Sequence, residues 1–260
     1  MLNYQVTGDN DKTIIFVHGN SQALQTWDYV IKEDALTNYS KIAVDLPGHG
    51  LSFHSAQPAV DYTLKGFAAQ LMDFLKTFPD KEYILVGTSL GTNLIGELTP
   101  FPKNCKGVFL LAAMVASSDS QVGQIVQANP AANAAFTASP SDAEIDAFVS
   151  NALYINDSAK VAEYKREFTS TDPSVRSTLA TSIGSRGWVD EIANLNAADI
   201  PIGVAYGKEE KLVVTDYLHS TDLKLWSDQI FSIDNAGHAA HVDQPDATAN
   251  LIAKFAEATL

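Results

Sequence analysis

The stretch Tyr83-Ile-Leu-Val-Gly-Thr-Ser-Leu-Gly-Thr-Asn-Leu-Ile-Gly-Glu-Leu98 constrains the chain most, because its hydrophobic period changes in the middle. Tyr83 to Val86 form a continuous apolar run, the signature of a strand buried on both faces. Leu90, Leu94, Ile95 and Leu98 then recur at helical spacing. A strand that turns directly into a helix belongs to an α/β architecture, and the turn carries Gly87-Thr88-Ser89-Leu90-Gly91. Such a turn is either an ordinary glycine-rich connection or a strained corner that presents a serine nucleophile, with small residues on either side so that strand and helix approach closely.

The rest of the chain repeats the alternation. Strands are predicted at 2–7, 13–17, 41–45, 82–86, 107–113, 201–206 and 229–233, and helices at 27–37, 62–77, 90–98, 212–219 and 245–258. In the second helix Leu64, Phe67, Ala68, Leu71, Phe74 and Leu75 mark one apolar face. Apolar strands separated by helices predict a mostly parallel sheet covered on both sides. The alternation stops after Met114. From 115 to 187 the chain is rich in Ala, Ser, Asn and Asp, with helix faces, a capping box at Ser141 and Glu144, and further caps at Asp157 or Ser158 and at Asp172-Pro173. The expected organisation is a core of 1–114 and 188–260 with a helical cap, 115–187, over the carboxyl edge of the sheet.

With 260 residues, 46% of them hydrophobic, the chain can bury one large core. The net charge of −14 repels phosphate backbones and anionic lipid, which argues against a nucleic-acid partner. No apolar run approaches the length of a membrane span, and no charged segment followed by an apolar one marks a secretory signal at Met1. Cys105 is the single cysteine, so no internal disulfide can form; a cytoplasmic location and a monomer are the expectations.

A serine hydroxyl needs a base to take its proton. His238 lies in Asn235-Ala-Gly-His238, a turn just beyond the last strand, and is expected at the sheet edge that presents Ser89; His241 is the rival. His18 and His49, in glycine turns, are expected to be structural. The imidazole in turn needs a carboxylate. Glu209 and Glu210 follow the strand at 201–206 and either could serve, with Asp119 after the strand at 107–113 as a further candidate. The chain order Ser89, Glu210, His238 is the order that a serine corner on such a parallel sheet requires. Two donors must meet the developing oxyanion: the amide of Leu90 after the nucleophile, and that of Asn20 in the loop His18-Gly-Asn20.

Together, His18-Gly-Asn-Ser21, Asp45-Leu-Pro-Gly-His-Gly-Leu-Ser52, Gly87-Thr-Ser-Leu-Gly91, Gly207-Lys-Glu-Glu210 and Asn235-Ala-Gly-His238 resemble the α/β-hydrolase family over essentially the whole chain apart from the cap. The resemblance implies an α/β-hydrolase fold with no metal and no cofactor, Ser89 as nucleophile, His238 as base, and Asn20 and Leu90 as oxyanion donors. It places the acid at the fourth position of a G-x-x-D pattern, where this chain has Glu210. The same segments are similar to metal-independent N-acyl-homoserine lactone hydrolases, which also use Glu, and this similarity implies ring opening of a quorum-sensing lactone. Phe148 stands where such an enzyme is expected to have a cap tyrosine; Phe148, Trp27 and Met114 are the expected substrate contacts.

The function expected is hydrolysis of a small carboxylic ester or lactone through an acyl-enzyme. The alternatives are a general carboxylesterase and a non-catalytic receptor that keeps the fold and senses a ligand in its pocket. Dehalogenation and epoxide opening need an aspartate where Ser89 stands. A metal-dependent lactonase would need more ligands than His238, His241 and Asp243.

Overall fold

The computed structural model describes residues 1–260. Seven strands form one sheet: β1 (Tyr4–Thr7), β2 (Thr13–Val17), β3 (Ser40–Val44), β4 (Tyr83–Thr88), β5 (Cys105–Leu111), β6 (Ile202–Gly207) and β7 (Phe231–Ile233). Their spatial order is β1-β3-β2-β4-β5-β6-β7. β1 runs antiparallel to β3 and every other pairing is parallel. The six parallel strands β2 to β7 present their carboxyl ends along one edge, and the loops beginning at 18, 45, 89, 112, 208 and 234 leave from it.

The continuous apolar strands are explained by burial on both faces. Successive side chains alternate between faces, so Ile15, Val17, Leu85 and Leu110 join one apolar cluster while Ile14, Phe16, Ile84 and Phe109 join the other. The helix Leu64–Leu75 buries its predicted stripe in the first cluster, and the Thr63 side chain caps it by accepting the Gly66 N–H at 3.0 Å. The helix Pro245–Thr259 covers the opposite face with Ile252 and Phe255.

Two predicted helices are not formed as such. The segment 27–37 is broken into a 3-10 turn at Leu24–Trp27, one α turn at Asp28–Ile31 and a second 3-10 turn at Asp34–Leu36. Ala23 and Glu33, which precede the two 3-10 turns, are extended and offer no side-chain cap. In 212–219 only Tyr217–Ser220 turns, as 3-10. Upstream of it, the Glu210 carboxylate takes the N–H groups of Leu212 and Val213, and Val213 bridges to Val126. A demand from elsewhere in the fold overrides the local pattern.

Between β5 and β6 the chain is helical. Val122–Ile125, a 3-10 stretch Pro130–Phe136, and the helices Asp142–Ala152, Ser158–Ser170 and Pro173–Gly184 precede Glu191–Ala197, which packs beside Leu90–Gly96. Ser141 and Glu144 form a reciprocal capping box, and Asp157 and Asp172 cap the two helices that follow. A third apolar cluster joins Ile145, Phe148, Tyr164 and Phe168 of this segment to Leu212, Ala239 and Val242 of the sheet-edge loops. No helix is long and apolar enough to cross a membrane.

Glu167 is a buried carboxyl at this junction, 8% exposed, with Oε1 lacking any partner. Burial, reinforced by the nearby Glu163 charge, pushes its pKa from 4.5 up to about 8. The folded state therefore holds a proton that the unfolded chain releases, and stability falls as pH rises between those two values. Glu167→Gln is expected to flatten that slope and to melt above the wild type at pH 8, by roughly 1 kcal/mol or more, with little difference at pH 4. Thermal unfolding at the two pH values checks it.

Candidate active site

Ser89 sits at φ 51°, ψ −121°, in backbone that L-residues other than glycine adopt only under constraint. The constraint is visible on both sides. The Ser89 N–H donates to the Leu111 carbonyl at 3.0 Å, and Thr92 Oγ1 donates to the Ser89 carbonyl at 2.7 Å. The flanking glycines let the elements meet: a Cβ on Gly91 would lie 2.5 Å from the Val17 carbonyl oxygen, and one on Gly87 2.7 Å from Ile95 Cδ1. The corner thus holds the Ser89 side chain at the carboxyl edge of the sheet.

His238 and Glu210 meet there as well. His238 Nδ1 is 2.8 Å from Glu210 Oε2, and the Glu210 side chain is 1% exposed. A carboxylate can only accept, so the proton lies on Nδ1 and Nε2 is left as the free, basic nitrogen of the neutral ring. The other carboxylate oxygen accepts the Leu212 N–H at 2.7 Å and the Val213 N–H at 3.2 Å. Burial alone would raise the Glu210 pKa; the His238 charge and these hydrogen bonds outweigh it and hold the carboxyl below its ordinary value. Glu209 points elsewhere and accepts the Ala236 N–H at 2.8 Å. Asp119 is exposed, takes the Ser117 hydroxyl at 2.6 Å and makes no contact with His238.

The loops that carry Glu210 and His238 are pressed together at Gly207, where a Cβ would lie 2.2 Å from the carbonyl oxygens of both Ala236 and Gly237. Gly207→Ala is expected to destabilise the fold by about 1–3 kcal/mol, the usual cost of overpacking. It should also lower ester turnover more than substrate binding, because it separates His238 from Glu210. Denaturant unfolding and steady-state kinetics on the same sample check both.

Asn20 and Leu90 contribute two backbone N–H groups that find no acceptor within the protein. The loop that carries Asn20 rests on Ser89: a Cβ on Gly19 would lie 3.2 Å from Ser89 Cβ. Two buried histidines brace it. His18 Nδ1–H donates to the Gly19 carbonyl at 2.7 Å while Nε2 accepts the Leu46 N–H at 2.9 Å. His49 Nε2 accepts the Ser21 N–H at 3.1 Å, with Nδ1–H on the Pro47 carbonyl at 2.9 Å. Burial lowers both pKa values, which suits rings that each donate once and accept once. Asp45 ties the neighbouring loop by accepting the N–H groups of Leu24 and Leu51 at 2.7 and 2.9 Å. The helical segment reaches the same loop: Asn20 Nδ2 donates to the Ala135 carbonyl at 2.6 Å, and Arg176 Nη1 to Ser21 Oγ at 3.3 Å.

Ser89, His238, Asn20, Leu90, Met114 and Phe148 line one cavity, open at its mouth, whose walls are mostly apolar. Met114 is pinned at both ends, its N–H on Thr92 Oγ1 at 2.9 Å and its carbonyl on Asn93 Nδ2 at 2.8 Å, and its Sδ lies 3.5 Å from Ser89 Oγ. Trp27, expected as a substrate contact, does not line this cavity. It is fully buried on the far face of the sheet, against Phe16 and His241, because its 3-10 turn closes the core. His241 lies there too, sharing a 2.9 Å hydrogen bond with Thr26 Oγ1, and burial pushes its pKa down to about 3. Asp243 accepts the Tyr154, Ile155 and Gly237 N–H groups, so it is a structural brace. The cavity also includes Asn93, Gln22 and Tyr164, which the sequence reading did not single out. Asn93 was accessible from its place in the first turn of the helix that follows Ser89; Tyr164 had no such signal, since its approach depends on how the helices 115–187 fold back.

A profile of the alpha/beta hydrolase family matches residues 14–251. Among solved structures, a variant of the N-acyl homoserine lactonase AidH in complex with N-hexanoyl homoserine lactone superposes with a TM-score of 0.89 at 21% identity, over 98% of this chain and 93% of that one. The esterase EaEST from Exiguobacterium antarcticum gives 0.80 at 13% identity, over 98% and 95%. Among curated proteins, Protein ABHD8 of Bos taurus is 30% identical over 83 residues, 32% of this chain and 19% of that protein. The chain therefore covers only a fraction of that relative's length, and the solved structures share its fold. The profile match spans the sheet from β2 to β7, the Ser89 corner and both loops that carry Glu210 and His238, and on that ground the chain belongs to the alpha/beta hydrolase family of hydrolases.

Proposed function

We propose that this hydrolase cleaves carboxylic esters or lactones through an acyl-enzyme, with Ser89 as nucleophile, His238 as base and Glu210 as its acid partner. The observation that carries the reading is the 2.8 Å contact of buried Glu210 with His238 Nδ1, in a cavity that Ser89 shares. It leaves Nε2 to take the Ser89 proton as Oγ attacks the substrate carbonyl. The negative charge that forms on the carbonyl oxygen meets the Asn20 and Leu90 amides. The C–O bond to the leaving oxygen breaks as His238 returns the proton to it; in a lactone the new alcohol stays tethered to the acyl group. Water then gives a proton to His238 and attacks the acyl-enzyme, and Ser89 regains its proton as the acid departs.

The finer reading is N-acyl-homoserine lactone ring opening, which would quench a quorum signal. It draws on the similarity to AidH and on the apolar wall that Phe148, Met114 and their neighbours offer an acyl chain. A small-molecule substrate, a monomer and a cytoplasmic setting complete it. Incubation with a fluorophosphonate is expected to add one phosphonyl group to Ser89, read by peptide mass spectrometry, and to abolish turnover of a p-nitrophenyl ester and of N-hexanoyl homoserine lactone. Labelling elsewhere with loss of activity, or tight lactone binding without turnover, would overturn the reading.

A further inference from the structure

Met114 carries the one sulfur in the cavity that holds Ser89. The Ser89 hydroxyl has a single hydrogen-bond partner in the protein, Met114 Sδ at 3.5 Å. It is not turned to His238, whose other ring nitrogen Glu210 holds. A thioether is a weak acceptor, so the contact parks the hydroxyl and releases it readily. Oγ must leave Sδ before its proton can pass to Nε2.

The backbone beneath this sulfur cannot draw back. The Met114 N–H and carbonyl are both taken, by Thr92 Oγ1 and Asn93 Nδ2. On either side, the Ala113 carbonyl accepts the Tyr206 hydroxyl at 2.9 Å and the Ala116 N–H donates to Glu191 Oε2 at 2.8 Å. Met114 is half-buried and faces a cavity open at its mouth, so a small polar oxidant reaches its side chain from solvent. Cys105 offers no rival target. It is buried, and burial pushes its thiol up to about 12, far from the reactive thiolate.

We infer that Met114 is an oxidation site that governs Ser89: hydrogen peroxide converts the thioether to the sulfoxide, which holds the Ser89 hydroxyl out of reaction. The sulfur gives an electron pair to one peroxide oxygen and the O–O bond breaks. The departing hydroxide takes the proton of the transferred oxygen, so sulfur is oxidised as peroxide is reduced to water. The new S=O oxygen is a strong acceptor standing where a weak one stood. Val126, Phe136 and Ile183, on the same cavity wall, give it no other partner to turn to. The Ser89 hydroxyl is then held by a bond that must break before His238 can take the proton. This inference goes beyond the esterase or lactonase reading and rests on one part of it, Ser89 as nucleophile.

The test treats the enzyme with hydrogen peroxide, stops it with catalase, and follows peptide masses, p-nitrophenyl ester turnover and the rate of fluorophosphonate labelling at Ser89. Turnover and labelling rate are expected to fall together, in proportion to the oxygen gained at Met114, and by about tenfold when it is fully oxidised, one hydrogen bond's worth. Met1, 94% exposed, is the control in the same sample, since its oxidation is expected not to track either rate. Methionine sulfoxide reductase with dithiothreitol is expected to restore both. Met114→Leu, compared with its own untreated sample, is expected to hold its rates through the treatment. If that variant does not fold, the wild-type titration and its reversal decide alone. Full oxidation of Met114 with both rates unchanged, an equal loss in folded Met114→Leu, or Met114 untouched while Met1 is fully oxidised would overturn the inference and leave ester hydrolysis intact. Untreated enzyme that takes no label at Ser89 would remove the nucleophile, and with it the hydrolase mechanism and this inference together.

Discussion

Replacing Ser89 with alanine is expected to lower ester and lactone turnover by about 10,000-fold or more while leaving the fold in place. The size follows from chemistry: without Oγ no acyl-enzyme forms, and what remains is the weak catalysis of bound water beside the oxyanion donors. The fold survives because the corner is held by backbone. The Ser89 N–H bond to Leu111 and the Thr92 hydroxyl on the Ser89 carbonyl do not involve the side chain that is removed. Alanine meets the same strain at φ 51° that serine already bears. The measurement is kcat on a chromogenic ester beside thermal unfolding. Turnover within tenfold of wild type would remove Ser89 from the reaction.

Glu210→Gln is expected to cost about 10,000-fold in kcat with only a modest change in KM. The argument turns on which end of the new amide faces which neighbour. One carboxylate oxygen of Glu210 accepts two backbone N–H groups, from Leu212 and Val213. Backbone donors cannot be reversed, so the glutamine oxygen must stay with them and its NH2 must face His238. That forces His238 to accept at Nδ1 and carry its proton on Nε2, the wrong tautomer for a base. Asp119→Asn, at an exposed aspartate on a separate loop, is expected to leave kcat within about twofold, as surface changes usually do. Steady-state kinetics of the pair separates the two carboxylates; equal losses would reinstate Asp119.

How far the sequence could be read depended on whether the deciding forces were local. β2 was legible to the residue because Thr13–Val17 is buried throughout and bounded by polar turns. The helix Leu64–Leu75 was legible because its apolar period and its Thr63 cap lie within one short window. The helix expected at 212–219 failed because the Glu210 carboxylate and an isolated bridge to Val126 claim its first residues, and neither is visible in the local pattern. Trp27 failed for a related reason. A large aromatic after the His18–Asn20 loop could turn toward either face of the sheet, and core packing against Phe16 and His241 decides which. Ser89, His238 and Glu210 were legible as candidates because parallel strands deliver their carboxyl-end loops to one edge, so chain order stands in for proximity. The residues alone left Glu209 and Glu210 both open, and only the family pattern pointed to Glu210; in the structure the two side chains turn apart, Glu210 to His238 and Glu209 to the Ala236 N–H.

The bond from Asn20 Nδ2 to the Ala135 carbonyl, together with that from Arg176 to Ser21, has a mechanical consequence. Residues 135 and 176 belong to the helical segment between β5 and β6, so the loop that bears Asn20 is tied to that segment as well as to the sheet edge, where His18 accepts the Leu46 N–H and Gly19 rests on Ser89. A displacement of the helical segment away from the sheet must stretch or break both bonds, so the position of that loop depends on parts of the chain more than a hundred residues away.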